Sequence, residues 1–315
     1  MNALPDLAAI RNAAARIAPH AVVTPVLRSA ALDALAGAHL HFKCEQLQRG
    51  GAFKFRGACN AVWSLSDAEA AHGVVTHSSG NHGNALALAA ATRGIAAHVV
   101  VPEGAVKAKV DAIARAGATL HRCAPTQAAR EAMCAQVQRE TGATLVHPYA
   151  DARVMAGQGT IALELLHQVP ALDAIVAPVG GGGLMSGVAV AAHALRPDIA
   201  LIGAEPAGAD DAARSLAAGE RVTSVVPQTL CDGLRALVGE PNLAALRAHH
   251  VEIVTVSDAE AIAAMRLVWS ELKQVIEVSS ATVLAAVLKA RERFAGREIG
   301  LVVTGGNVDL DALPW

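Results

Sequence analysis

The stretch GGAFKFRGA (residues 50–58) places one lysine, Lys54, between two of the chain's four phenylalanines. A lysine amine withdrawn from water loses its charge more readily and becomes a nucleophile for a carbonyl carbon. PVGGGGLMSG (178–187) follows an apolar run and opens a helical pattern. Its four glycines let backbone N–H groups close on an anion, with the positive end of the helix behind them, so a phosphate fits. SSGNHG (78–83) is a polar turn at another strand-to-helix junction. Ser78, Ser79, Asn81 and His82, with free backbone amides, suit a carboxylate. TGGNVDL (304–310) is a third glycine turn, with Thr304 closing an apolar run. Taken singly, these stretches have ordinary explanations: a snorkelling lysine, N-capping, a tight turn. Taken together, a carbonyl, a phosphate and an amino-acid carboxylate describe pyridoxal phosphate and its substrates.

The elements that must position these groups read as repeated strand–helix units. From residue 73, GVVTHSS leads into NHGNALALAAATRG, AAHVVVPEG into AVKAKVDAIARAG, and ATLHRC into PTQAAREAMCAQVQRETG, before ATLVHPY. Gly94, Gly117 and Gly142 are C-cap signals. A second series has a helix near 155–168, the strand DAIVAPV, the glycine loop with its helix, the strand IALIGAEP, helices near 258–274 and 280–294, and the strand IGLVVTGGN. The alternation predicts an α/β fold of two open parallel-sheet lobes with helices on both faces. The break at HPYAD (147–151) divides a large cofactor-binding domain (1–65 plus 148–315) from a small substrate-closing domain (66–147). Ligands then lie between the lobes, at the carboxyl ends of the strands.

Composition narrows the class. The 315 residues are 53% hydrophobic and 17% charged with a net charge of −2, which gives no electrostatic attraction to nucleic acid or an anionic membrane. No apolar run is long enough to span a bilayer, and the N-terminus reads as an amphipathic helix capped at Asp6 rather than a signal peptide. Five scattered cysteines, never spaced CxxC, favour reduced buried thiols and a cytoplasmic protein. A nucleotide-binding oxidoreductase is the competing reading, because Glu205 ends the strand after the glycine loop where a ribose-binding acid belongs. The G-x-G-x-x-G spacing fails, since Ser186 or Met185 stands where the third glycine would be. A non-catalytic small-anion binder is a further alternative.

KCEQLQRGGAFKFRGA, THSSGNHG, PVGGGGLMSG, AEPAGADD, CDGLR and TGGNVDL resemble, in order and spacing, the fold-type II (tryptophan-synthase-β-like) pyridoxal-phosphate enzymes, and among them the serine/threonine dehydratase and serine racemase group. The resemblance runs from about residue 20 to the C-terminus. It implies Lys54 as the lysine that binds the cofactor aldehyde, Phe53 against the cofactor ring, Asn81 at the ring hydroxyl, Gly180, Gly181, Gly182, Gly183 and the Leu184 amide at the phosphate, and Thr304 facing the pyridine nitrogen. It places Ser78, Ser79, Asn81, His82 and Arg130 at the substrate carboxylate, and Ser79 where a second proton-handling group would stand in a racemase. AEPAGADD resembles the group's divalent-cation site, with the Glu205 and Asp211 carboxylates and the Ala209 carbonyl. Oxygen ligands of this kind suit Mg²⁺ or Ca²⁺.

The activity so implied is dehydration of a β-hydroxy amino acid, such as L-threonine or L-serine, to a 2-oxo acid and ammonia. Serine racemase and a dehydratase specific for 3-hydroxyaspartate or another β-hydroxy amino acid are the alternatives within the family, and a homodimer is its usual assembly. Where the group's pattern reads Glu-Pro, this chain reads Glu277-Val278-Ser279-Ser280-Ala281, which relaxes the substrate expectation. No regulatory module is expected after TGGNVDL.

Overall fold

The computed structural model describes residues 4–315. Ten strands form two sheets: β1 (Val26–Leu27), β2 (His39–Cys44), β3 (Val74–His77), β4 (Ala97–Pro102), β5 (Thr119–Cys123), β6 (Thr144–Leu145), β7 (Ala174–Pro178), β8 (Ala200–Pro206), β9 (Glu252–Val256) and β10 (Glu298–Val303). The larger sheet has the order β1-β2-β10-β7-β8-β9 and the smaller β5-β4-β3-β6. Every pairing is parallel except the antiparallel β1–β2 edge. This is the mixed α/β architecture of fold-type II enzymes.

Parallel strands covered on both faces need apolar side chains on both, and β7 and β10 supply them. In β7, Ile175 and Ala177 join a core with Ile161, Leu165, Met185 and Val188, while Ala174 and Val176 face Phe42, Ile202, Met265 and Leu284. The two-residue period of a strand produces this division. The smaller sheet packs Val75 and Val100 against Cys134 and Val137 on one side and Val99 and Val101 against Ile113 on the other.

The helices begin and end where local chemistry dictates. Asp6 accepts from the Ala9 amide at 2.7 Å and starts the helix Leu7–Ile17. Gly94, Gly117 and Gly142 take positive φ at helix ends. Two helices differ from expectation. The expected helix near 258–274 is regular only over Asp258–Leu267, then widens into a π-turn over Val268–Leu272 that stops at Lys273 with φ +57°. The segment near 280–294 is two helices, Val278–Lys289 and Arg291–Phe294, because Ala290 leaves helical geometry and turns Phe294 into the core. Among the described residues no helix is long and apolar enough to cross a membrane, and all five cysteines are buried and unpaired.

Candidate active site

Lys54 opens the helix Lys54–Trp63, and the loop before it is laced to the loop after β10. The Phe53 amide donates to the Thr304 carbonyl at 3.0 Å, Gly306 donates to the Gly51 carbonyl at 3.0 Å, and Asn307 Nδ2 donates to the Gly50 carbonyl at 2.8 Å. Lys54 Nζ stands 5.1 Å from the centre of the Phe53 ring and donates to the Pro148 carbonyl at 3.0 Å. No carboxylate compensates it, so burial pushes its ammonium down to about 8. Phe55, by contrast, is fully buried core.

Two residues beyond Lys54, Arg56 is fully buried. Its Nε and Nη2 donate to both oxygens of Glu45 at 2.7 and 2.8 Å, and Nη1 and Nη2 reach Glu164 at 2.6 and 2.8 Å. Lys43, also buried, donates to Glu164 at 2.5 Å and to the Thr24 carbonyl at 2.8 Å. Such a network tolerates burial because each charge is paired and hydrogen-bonded. It fixes the first turn of the Lys54 helix to β2 and to the helix Ala152–Gln168.

The glycine loop follows β7 and leads into the helix Gly183–Leu195, which no side chain caps among the described residues. Its first N–H groups are therefore available to an anion. Gly182 takes φ +87°, which glycine adopts without strain. Side chains are excluded from the loop by what packs on it. A Cβ on Gly180 would stand 2.8 Å from Leu234 Cα, one on Gly183 would stand 2.9 Å from Tyr149 Cα, and one on Gly181 would collide with the Tyr149 ring. Tyr149 follows Pro148, so one short segment, HPYAD, touches both the lysine and the loop.

Ser78 and Ser79 follow β3, and the helix Asn81–Arg93 begins on Gly80 with no side-chain cap. Asn81 Nδ2 donates to Glu277 Oε1 at 2.8 Å, and its carbonyl accepts from Asn307 Nδ2 at 2.9 Å. These bonds bring the serine turn, the loop after β10 and Glu277 together. His82 is buried; burial first, then the Lys54 charge, hold its imidazole well below its ordinary value, so it is neutral. Thr304 is buried and shares a 2.8 Å hydrogen bond with Ser280 Oγ, whose oxygen also accepts from the Gly305 amide at 2.7 Å. Arg130 lies in the first turn of the helix Gln127–Thr141, with a buried Nε that has no hydrogen-bond partner. Its charge helps depress the neighbouring His77, beside Ser78, where burial is the larger cause.

Two participants escape a sequence reading. One is Tyr149, the chain's single tyrosine, which carries no motif of its own. The other is Lys109, whose stem passes Gly80 and whose ammonium pairs with Asp232 and stands 3.8 Å from Glu277 Oε2. Glu277 is buried, Oε2 has no hydrogen bond, and burial pushes its carboxyl up to about 7 against the pull of Lys109. The one sequence signal was Glu277 itself.

Glu205, Ala209 and Asp211 stand apart, at the end of β8, in the turn after it and at the start of the helix Asp211–Ala218. Both Glu205 oxygens accept backbone amides, from Ala212 at 2.9 Å and Ala213 at 2.8 Å, and Asp211 accepts from Val238 at 2.7 Å. Burial pushes Glu205 up to about 8, further raised by Asp211 and Asp210 nearby. Two buried carboxylates that repel each other are a donor set a hard cation would relieve. Among the described residues no three histidine, cysteine or acidic side chains form a metal cluster, so a carbonyl and waters would complete the shell. With Glu205 occupied in this way, the ribose-binding role is not supported.

Residues 17–305 match the family described as pyridoxal-phosphate dependent enzyme. The chain belongs to that family. It is 51% identical over 300 residues to the β-hydroxyaspartate dehydratase of Paracoccus denitrificans, covering 95% of each chain. It is 50% identical over 313 residues to the serine racemase of Arabidopsis thaliana, covering 98% of this chain and 95% of that one. The solved threonine deaminase of T.th. superposes with a TM-score of 0.92 at 41% identity, covering 97% of this chain and 99% of that one. The family member described here is therefore a fold-type II enzyme of the serine racemase and dehydratase group.

Proposed function

We propose that the protein is a pyridoxal-phosphate-dependent dehydratase that converts a β-hydroxy amino acid to a 2-oxo acid and ammonia, with β-hydroxyaspartate ahead of L-serine and L-threonine. The uncapped glycine loop, the Lys54 amine, which no carboxylate neutralises among the described residues, and the Thr304–Ser280 hydroxyls fit the cofactor. Bound there, it would supply an aldehyde for the lysine and the substrate amine and a ring that accepts the electron pair left at Cα.

The observation that carries the reading is the Thr304–Ser280 pair. A hydroxyl at the ring nitrogen does not enforce its protonation as a carboxylate would, which favours prompt loss of a β-substituent over transamination. Lys54, shifted down to about 8, is the base that takes the Cα proton. The turn Ser78–His82 receives the α-carboxylate through its amides and hydroxyls. Phe53 would lie against the ring, Asn81 would meet its hydroxyl, and the small domain, 66–147, would close over the substrate. Arg130 and Lys109 flank that turn and supply positive charge for a second carboxylate. The relative from Paracoccus, named for β-hydroxyaspartate, supports this order of substrates.

Racemisation is a second reading, supported by Ser79 on the turn and by the serine racemase relatives. A Mg²⁺ or Ca²⁺ ion on Glu205, Asp211 and the Ala209 carbonyl, and a homodimeric, cytoplasmic protein, complete the proposal. The test is a panel of L- and D-β-hydroxy amino acids, including both diastereomers of 3-hydroxyaspartate, assayed for 2-oxo acid with and without Mg²⁺ and for inversion on a chiral column. Oxo-acid release fastest with a 3-hydroxyaspartate is expected. D-serine formation without 2-oxo acid would reject the dehydratase. Lys54→Ala is expected to lower turnover at least about a thousandfold and to abolish borohydride trapping of the cofactor.

A further inference from the structure

The groups proposed to hold the two ends of the cofactor, Lys54 and the glycine loop, sit at the N-termini of different helices. A third helix, Ala152–Gln168, lies between them. It meets the Lys54 helix at Gly157, where an added Cβ would come within 2.6 Å of the Arg56 carbonyl and of Gly57 Cα. Conversely, a Cβ on Gly57 would stand 2.8 Å from the Val154 carbonyl, and the Gly57 amide donates to Gln158 Oε1 at 3.2 Å. It meets the glycine-loop helix at Gly159, where a Cβ would stand 2.8 Å from the Gly187 carbonyl, and a Cβ on Gly187 would stand 2.7 Å from the Gly159 amide nitrogen and collide with the Met155 carbonyl.

Gly157 and Gly159 are two residues apart, which turns them about 200° around the helix, so they face nearly opposite neighbours. Gly57 lies three residues after Lys54, and Gly187 four after Gly183. Each contact is thus about one turn from the group it would position. At Gly157 and Gly187 the nearest atoms are all backbone, which leaves no soft rotamer there to absorb a change of spacing, while Gly57 and Gly159 also meet the side chains of Gln158 and Ile10.

We propose that the helix Ala152–Gln168 is a spacer, and that Gly57, Gly157, Gly159 and Gly187 are positioning residues that set the distance between the Lys54 amine and the phosphate-binding amides. The inference rests on the cofactor assignment above. Holding both ends of one ligand at matched spacing makes the second contact intramolecular once the first is made, so mismatch weakens the joint binding more than either part.

Full-length protein stripped of cofactor is titrated with pyridoxal phosphate and with pyridoxal, which has the aldehyde but no phosphate, following visible absorbance and equilibrium dialysis. In Gly187→Ala the affinity for pyridoxal phosphate is expected to fall at least tenfold while that for pyridoxal stays within about twofold, so the phosphate advantage collapses. Gly159→Ala, whose new methyl first meets the flexible end of Ile10 as well as the Gly187 carbonyl, gives the same reading if Gly187→Ala does not fold. Leu32→Ala, a core truncation on a helix outside this contact, is the control for general destabilisation. Parallel losses for the two ligands, as in the control, or unchanged pyridoxal phosphate affinity would overturn the spacer. Wild-type protein that binds neither ligand would instead overturn the cofactor assignment itself.

Discussion

The two walls of the cleft are built by different means. The wall that carries Lys54 and the glycine loop is held by backbone: amides on carbonyls between the loops at 50–53 and 304–306, and glycine on glycine between helices. Below it, Arg56, Lys43, Glu45 and Glu164 form a closed network. The facing wall, Ser78 to Asn81 with Lys109 and Arg130, is held by side chains that are partly open to the cleft: Asn81 on Glu277, and Lys109 on Asp232. Backbone contacts tolerate little displacement, whereas side-chain pairs can be exchanged for a ligand. On the proposed assignment, the chemistry shared by the family would belong to the stiff wall, and the choice of substrate to the adaptable one.

The largest effect expected from testing this contrast is on the stiff wall. Arg56→Ala leaves the buried Glu45 carboxylate with the Thr24 hydroxyl but no cation, and Glu164 with Lys43 alone, and loss of one member of a buried pair costs about 3–5 kcal/mol. Urea unfolding should show that loss. A change below about 1 kcal/mol would mean that the network is dispensable and the two walls alike. On the adaptable wall, Lys109→Ala should cost less stability than Arg56→Ala, because its partner Asp232 is partly exposed. Its kcat/KM for a 3-hydroxyaspartate should fall at least tenfold relative to L-serine, and equal losses for both would place Lys109 outside substrate selection.

The smallest effect is a slope with pH. The Glu277 carboxyl, raised from about 4.5 to about 7, binds its proton more tightly in the folded protein. Its contribution to stability is therefore complete below about 4.5 and lost as pH rises towards and through 7. Glu277→Gln should gain Tm relative to wild type across that interval, and a constant difference between the two would assign Glu277 an ordinary titration.

The same division explains what could be read from the chain. The glycine loop, the serine turn and Thr304 sit at strand ends, and Lys54 at a helix start after a glycine pair, so their local sequence announces both the turn and its free amides. Apolar runs likewise announced the strands β7, β8 and β10. Lys107 and Lys109 show the limit. They are two residues apart on one helix, and only the packing turns Lys107 to solvent, where it pairs with Asp111, and Lys109 into the cleft. Arg56 and Glu164 are 108 residues apart, and Asn81 and Glu277 are 196 apart, so no local pattern could join them. The break at Ala290 was equally hidden, since alanine is a good helix former and the turn there serves the burial of Phe294.

The Lys54 amine has a consequence outside turnover. An ammonium that gives up its proton near 8 leaves, at neutral pH, a share of free amine, and that amine is a nucleophile. In protein lacking its cofactor, Lys54 would be an early target of acylating agents and stray aldehydes. If Lys54 holds the cofactor as proposed, the cofactor would double as a protecting group, and the time between synthesis of the chain and cofactor loading would be its period of greatest chemical vulnerability.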